Sequence, residues 1–149
     1  MIDSAQFKRP DENEFEQVKQ LVKDFWLDDA DMQPGQFGVL SYNGKVIAFG
    51  RLREHADATE LCTMGVAKDL QGKGLGDKMV KHLQGIAKRN IYLVTVIPDF
   101  FKKTGFKITE TYPEPLQKKV ERCSADFHVG ETYHVMKWEF EYSRPTPSL

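Results

Sequence analysis

Between Asp11 and Trp26 the apolar side chains fall at Phe15, Val18, Leu21, Val22, Phe25 and Trp26. Intervals of three and four residues place them on one face of an amphipathic helix, entered through Pro10-Asp11. Phe7 ends a first short strand ahead of that helix. Phe37 to Tyr42 and Val46 to Arg53 are β-rich and joined by Asn43-Gly44, which takes the positive φ angles of a tight hairpin at small cost. Thr59 to Ala67 reads as a third strand. Gly74 to Asn90 returns to helical spacing, with Leu75, Met79, Leu83, Ile86 and Ala87 on one face. Ile91 to Val96 is a nearly continuous β-branched and apolar run, the pattern of a strand buried on both faces. Pro98 opens a short helix through Lys103, closed by Gly105 at the C′ position. Phe106 to Thr111 and Tyr133 to Tyr142 alternate as two final strands. Between them, Tyr112 to Lys119 holds Pro113 and Pro115 and begins as a non-helical connection. The order is strand, helix, three strands, helix, strand, helix, strand, strand, which predicts an α/β fold around a mixed sheet.

The 149 residues show no internal repeat, low-complexity tract or long linker, so we read a single domain over residues 1–143. The tail Arg144-Pro-Thr-Pro-Ser-Leu149 has little to bury and is expected to fray. With 40% hydrophobic and 29% charged residues, the chain can build a core. Net charge is −1. No global field then favours nucleic acid or an anionic membrane, and any anion site must be local. No apolar run approaches the roughly 20 residues that span a bilayer, and Met1 to Pro10 lacks a signal-peptide core. Cys62 and Cys123 cannot form a disulfide framework, so a reduced, cytoplasmic protein is expected. Asp28, Asp29 and Asp31 read as a solvated loop or short second helix, with the rim of a substrate pocket as the rarer reading.

The segment Met64-Gly65-Val66-Ala67-Lys68-Asp69-Leu70-Gln71-Gly72-Lys73-Gly74-Leu75-Gly76 carries candidate chemistry. A strand ends, a turn follows, and three glycines at alternate positions open a long helix. Glycine lets backbone approach a ligand closely, and the first N–H groups of a helix have no intrahelical partner and lie at its positive end. A phosphate or pyrophosphate could be held there, with Lys73 as counter-charge. It is not a P-loop, because Lys73 precedes Gly74 and Ala67 stands where the first glycine belongs. It is not the dinucleotide fingerprint either, because Asp77 occupies the third glycine's place.

Gln71-Gly72-Lys73-Gly74-Leu75-Gly76 matches the Gln/Arg-x-x-Gly-x-Gly/Ala signature, and Phe100-Phe101-Lys102-Lys103-Thr104-Gly105-Phe106 looks like a helix-to-strand ending in Gly-Phe. On these residues the chain resembles the GNAT superfamily of acetyl-CoA-dependent N-acetyltransferases, over residues 6–111 and the last strand. The resemblance implies a splayed mixed sheet of about six to seven strands flanked by helices. It implies acetyl-CoA as cosubstrate, lying between Thr59 to Ala67 and Ile91 to Val96. The backbone of Met64, Gly65 and Val66 would pair with the pantetheine arm. The amides of Gln71, Gly72, Lys73, Gly74, Leu75 and Gly76 would hold the pyrophosphate.

Acetyl transfer needs an amine freed of its proton and a way for the thiolate to leave. Glu60 aligns with the strand glutamate that serves some members of this family as general base, a role that partial burial would favour by raising its pKa, with a solvated strand charge or structural ion pair as the competing reading. The family's usual acid is a tyrosine at the position held here by Phe101, so Tyr92, Tyr112, Tyr133 or water would have to assist the thiolate. Asp99-Phe100-Phe101 and the segment Pro113 to Cys123 more weakly resemble bacterial N-acetylglutamate synthase domains, through Pro115, Lys118, Lys119, Cys123 and Val135-Met136-Lys137. That similarity suggests an amino-acid-like acceptor. Arg51 and Arg53 have guanidinium groups suited to an acceptor carboxylate, with exposed edge charges as the competing reading. Cys123, His128 and His134 lack a fourth ligand and fit no tight zinc pattern, so no metal is expected. Cys62 reads as a small buried hydrophobe, and His55 and His82 as surface residues without partners.

The function expected is therefore N-acetyl transfer to the primary amine of a small molecule, an amino acid among the candidates, by direct transfer. Nucleic acid and membrane are not expected partners, and a homodimer is allowed. Two other readings stand beside it: a catalytically impaired acyl-CoA-binding regulatory module, favoured by Phe101, and an acetyltransferase acting on a protein amine.

Overall fold

A computed structural model describes residues 4–126 and 132–141. Its elements are β1 (Gln6–Lys8), α1 (Glu12–Asp24), β2 (Phe37–Tyr42), β3 (Lys45–Glu54), β4 (Thr59–Val66), α2 (Leu75–Ile86), β5 (Ile91–Thr95), α3 (Pro98–Lys102), β6 (Lys107–Ile108), α4 (Glu114–Asp126) and β7 (His134–Trp138). The strands form a seven-stranded mixed sheet in the order β1-β2-β3-β4-β5-β7-β6, as an α/β fold of this class requires. The chain forms two compact units, one within Met1–Arg53 and Leu61–Gly85, the other within Glu54–Glu60 and Ile86–Leu149.

In the first unit, α1 starts where the sequence predicts. The Asp11 side chain accepts from the Glu14 N–H at 2.8 Å, and the Glu14 carboxylate accepts from the Asp11 N–H at 3.0 Å, completing a capping box. Lys8 Nζ lies 2.8 Å from the same carboxylate. The helix buries Val18 and Val22 against Phe37, Val39, Val46 and Phe49. The β2–β3 hairpin turns at Asn43 and Gly44, with φ of 51° and 79°, as the dipeptide predicts. Trp26 departs from the expected apolar face. The helix ends before it, its φ is 58°, and its side chain is 94% exposed. α2 buries Leu75, Met79, Val80 and Leu83, and it ends at Ile86 rather than Asn90.

In the second unit, β4 pairs in parallel with β5 through Thr59↔Ile91 and Glu60↔Tyr92, and β7 runs antiparallel to both β5 and β6. Ile91, Leu93 and Thr95 are buried while Tyr92 and Val94 are half-buried, so β5 is not sealed on both faces as its composition suggested. Tyr92 and Val94 instead pack, with Tyr112 and Val120, on a cluster of Ala58, Leu116 and Val135. Leu116 and Val120 belong to α4, which begins at Glu114, after the non-helical start at Tyr112 and Pro113 that the prolines predicted, and occupies the rest of that segment. Pro115 falls in its first turn, where no intrahelical N–H is lost. The two late strands are also shorter than their alternation suggested, and Tyr142 and the tail lie outside the described residues.

The end of α3 follows its predicted stop. Gly105 N–H donates to the Lys102 carbonyl at 3.1 Å and Phe106 N–H to the Phe101 carbonyl at 3.3 Å. That pair of bonds is a Schellman motif with Gly105, φ 91°, at C′. The accompanying apolar contact is Phe101 against Phe106, ring centroids 5.8 Å apart.

Candidate active site

The glycine loop belongs wholly to the first unit. β4 ends at Val66, a single 3₁₀ turn covers Lys68–Leu70, and α2 begins at Leu75. Gln71, Gly72, Lys73 and Gly74 are exposed. Gly72 and Gly74 have φ of 79° and 82°, and a Cβ at either would meet no atom within 4 Å. Their glycine identity therefore answers to backbone conformation, with open space above it, rather than to packing within the chain. Gln71 Nε2 donates to the Val66 carbonyl at 3.1 Å, tying the loop to the strand end. The first N–H groups of α2 have no intrahelical acceptor, so the loop and helix start present donors with Lys73 beside them.

Met64, Gly65 and Val66 are half-buried at the end of β4. Gly65 has a packing reason of its own: a Cβ there would lie 2.9 Å from the Phe49 ring and 3.0 Å from that of Phe25. Just before them Thr63 takes φ 47°, and its hydroxyl donates to the Asp28 carbonyl at 3.0 Å. The extended run is kinked at that residue.

Arg51 is fully buried, which removes the reading of an exposed edge charge. Its Nε donates to Gln36 Oε1 at 2.8 Å and its Nη2 to the carbonyls of Ala30 and Asp31 at 2.7 and 3.0 Å. The guanidinium also lies over the Phe37 ring, 5.8 Å from its centroid. Nη1 is buried without a hydrogen-bond partner. Among the described residues, this cation meets neutral oxygens and no carboxylate. Arg53 is half-buried, 3.6 Å from the exposed Asp31 carboxylate.

The second unit holds Glu60. Its side chain is 5% exposed, between His55 Nε2 at 2.9 Å from Oε1 and the Lys119 ammonium, which donates to Oε2. Burial pushes the carboxyl pKa up, but the Lys119 charge and hydrogen bond, then His55, outweigh it and hold the group below its ordinary value. The upward shift that burial alone would give is thus reversed, because the Lys119 and His55 contributions together outweigh it. Arg89 braces the turn that carries His55. It donates to the carbonyls of His55 and Ala58 at 2.6 and 2.8 Å, to the Glu54 carboxylate at 2.9 Å and to Thr59 Oγ1 at 3.0 Å.

His55 and Lys119 are the residues that sequence reasoning underrated. His55 was expected to lack a partner, and Lys119 stood only as part of a family-like segment. The signal for α4 was the spacing of Leu116, Val120 and Cys123, which two nearby prolines masked. His82 is not isolated either. It stacks on Phe7 at 4.5 Å, and burial, followed by the Lys78 charge, lowers its pKa.

Phe101 is buried, edge-on to Phe100 at 4.9 Å and to Phe106. Tyr92 lies under the Lys137 ammonium, and Tyr112 packs on the α4 cluster. Cys62 is buried, as expected. Among the described residues no group of His, Cys, Asp and Glu is placed to hold a metal ion, and His128 lies outside them. No described helix is long and apolar enough to cross a membrane.

Solved structures share this fold. N-acetylglutamate synthase from Neisseria gonorrhoeae, complexed with coenzyme A and N-acetyl-glutamate, superposes with a TM-score of 0.69 at 14% identity, covering 92% of this chain and 35% of that one. The chain thus spans about a third of the synthase. Rv2747 from Mycobacterium tuberculosis, in complex with CoA, gives 0.68 at 20% identity over 91% and 99% of the two chains. The ribosomal-protein-S18-alanine N-acetyltransferase from Escherichia coli gives 0.62 at 13% identity over 97% and 99%. The acetyltransferase (GNAT) family model matches residues 3–106, the stretch that contains both the glycine loop and the Gly-Phe ending. The chain belongs to that acetyltransferase (GNAT) family.

Proposed function

We propose that this enzyme moves an acetyl group from acetyl-CoA directly to the primary amine of a small molecule bearing a carboxylate, an amino acid being the simplest case. The observation that carries the acceptor class is Arg51. A buried guanidinium without a counter-ion is costly, and one with a spare donor gains most from an anion. Nη1 would pair with the acceptor carboxylate, with Arg53 adding charge nearby. The segment that accepts from Arg51 at Ala30 and Asp31 is exposed over residues 29–31, and Asp31 holds a left-handed φ of 52°.

For the donor, the exposed amides of Gln71 to Gly76 with Lys73 would take the pyrophosphate, and the backbone of Met64 to Val66 the pantetheine arm. In this reading Glu60 serves catalysis as a carboxylate kept ionised by Lys119 and His55, acting through electrostatics and orientation. Thiol release from acetyl-CoA, measured across amino acids and their decarboxylated amines, tests the reading. Transfer to amino acids at least tenfold better than to the decarboxylated amines is expected. Equal rates on both sets would remove the carboxylate from the argument.

One observation favours a second reading, a CoA-binding module without turnover. Phe101 lies in an aromatic cluster and cannot protonate a thiolate. CoA binding by calorimetry with no transfer to small amines, peptides or amino acids would establish that reading instead.

A further inference from the structure

We infer that His55 is the proton acceptor of the reaction, with Glu60 as the residue that positions it and Lys119 as the counter-charge that keeps Glu60 anionic. The inference rests on the acetyl-transfer reading above. Both carboxylate oxygens of Glu60 already accept, Oε1 from His55 and Oε2 from Lys119, and with 5% of its side chain exposed Glu60 is poorly placed to meet a substrate proton, whereas His55 is not. A carboxylate accepts, so His55 Nε2 must carry the hydrogen it shares with Oε1. The neutral ring then has its lone pair on Nδ1. That nitrogen has no hydrogen bond among the described residues, and the side chain is 22% exposed.

The backbone that carries the imidazole is held on both sides. The His55 backbone N–H donates to the Ala58 carbonyl at 2.7 Å, and Arg89 donates to the His55 backbone carbonyl at 2.6 Å. The charged groups around it are Glu60 from β4, Lys119 from α4 behind that carboxylate, Arg89, and Glu54 and Asp57 of its own turn. The geometry is a carboxylate–imidazole pair, in which the acid fixes tautomer and orientation and stabilises the imidazolium that forms.

The substrate ammonium gives one proton to Nδ1 and becomes an amine with a lone pair. The amine nitrogen bonds to the acetyl carbonyl carbon, and the carbon–sulfur bond breaks with its electron pair on sulfur. The second nitrogen proton passes through solvent to the thiolate, and the imidazolium returns its proton to solvent. The products are the N-acetyl amine, CoA thiol and one released proton.

The test uses the full chain with acetyl-CoA and the best amine acceptor. His55→Gln keeps a donor to Glu60 but cannot take a proton, and should lower kcat/KM by about 100- to 10,000-fold. The acid limb of the pH–rate profile should disappear with it. His55→Gly should regain turnover when free imidazole is added, whereas Glu60→Gln should be slowed without imidazole rescue. Turnover within twofold of wild type in His55→Gln, with the acid limb intact, overturns the assignment. So does Glu60→Gln that is rescued while His55→Gly is not. If His55→Gly fails to fold, His55→Gln decides alone. Absence of transfer by the wild type itself would overturn the acetyl-transfer reading and this assignment with it.

Discussion

Lys119→Met removes the ammonium that pairs with Glu60 and leaves a carboxylate with 5% of its side chain exposed on a paired strand. Glu60 cannot swing into water from there, so it must stay charged without its cation or take up a proton. Protonation sets the ceiling. From an ordinary carboxyl value of 4.5, holding a proton at pH 7 costs about 3.4 kcal/mol, at 1.36 kcal/mol per pH unit. That agrees with the roughly 3–5 kcal/mol for breaking one side of a buried pair. For a chain of this length, about 2–4 °C per kcal/mol gives a Tm lowered by roughly 7–14 °C at pH 7. Glu60→Gln should cost less, because Lys119 is already 18% exposed on a flexible stem and can reach solvent. The sign with pH follows from the depressed carboxyl. Its folded pKa lies below the unfolded value, so the pair stabilises above about pH 4.5, and that contribution is lost as pH falls through the folded value. Wild type and Lys119→Met should therefore converge in acid. Calorimetry from pH 4 to 8 on both variants and the double mutant reads this directly. A Tm difference under about 3 °C at pH 7, or one unchanged down to pH 4, would refute the argument.

Three further outcomes are expected. Gly74→Ala meets open space but forces an L-residue to φ 82°, at about 1–2 kcal/mol, and should weaken CoA binding at least tenfold; calorimetry giving equal affinity would free the loop of its role. Arg51→Met should raise the acceptor KM at least tenfold for amino acids while leaving that for a decarboxylated amine within twofold, and a uniform change would make Arg51 purely structural. Phe101→Tyr places a hydroxyl in the Phe100–Phe106 cluster and should cost about 1–3 kcal/mol if no partner is found, read as a lower Tm that CoA does not restore.

What could be read from the sequence was what the chain determines locally. Asn43-Gly44 declares its hairpin because positive φ is a property of two residues, and the glycine loop declares itself through spacing alone. The stop of α3 at Gly105 is of the same kind. Trp26 deceived the pattern because it sits at the interval of an apolar face, yet the helix ended one turn residue earlier. α4 was hidden by an argument correct for a helix interior and wrong for its first turn, where a proline loses nothing.

The pairing of Glu60 with Lys119 belongs to a different order, since it joins positions 59 residues apart and depends on a helix the sequence obscured. Its consequence reaches the chemistry. A lone buried glutamate rises in pKa and becomes a better base; the same glutamate beside an ammonium falls and becomes a fixed anion. Residue type and motif position are identical in the two cases, and only the missing cation separates them. A fixed anion next to an imidazole moves the basic lone pair outward, from the strand to the side chain at His55. The residue that a family pattern marks as the base can thus be the residue that orients it, and the pH–rate profile of His55→Gln beside that of Glu60→Gln is where the two roles part.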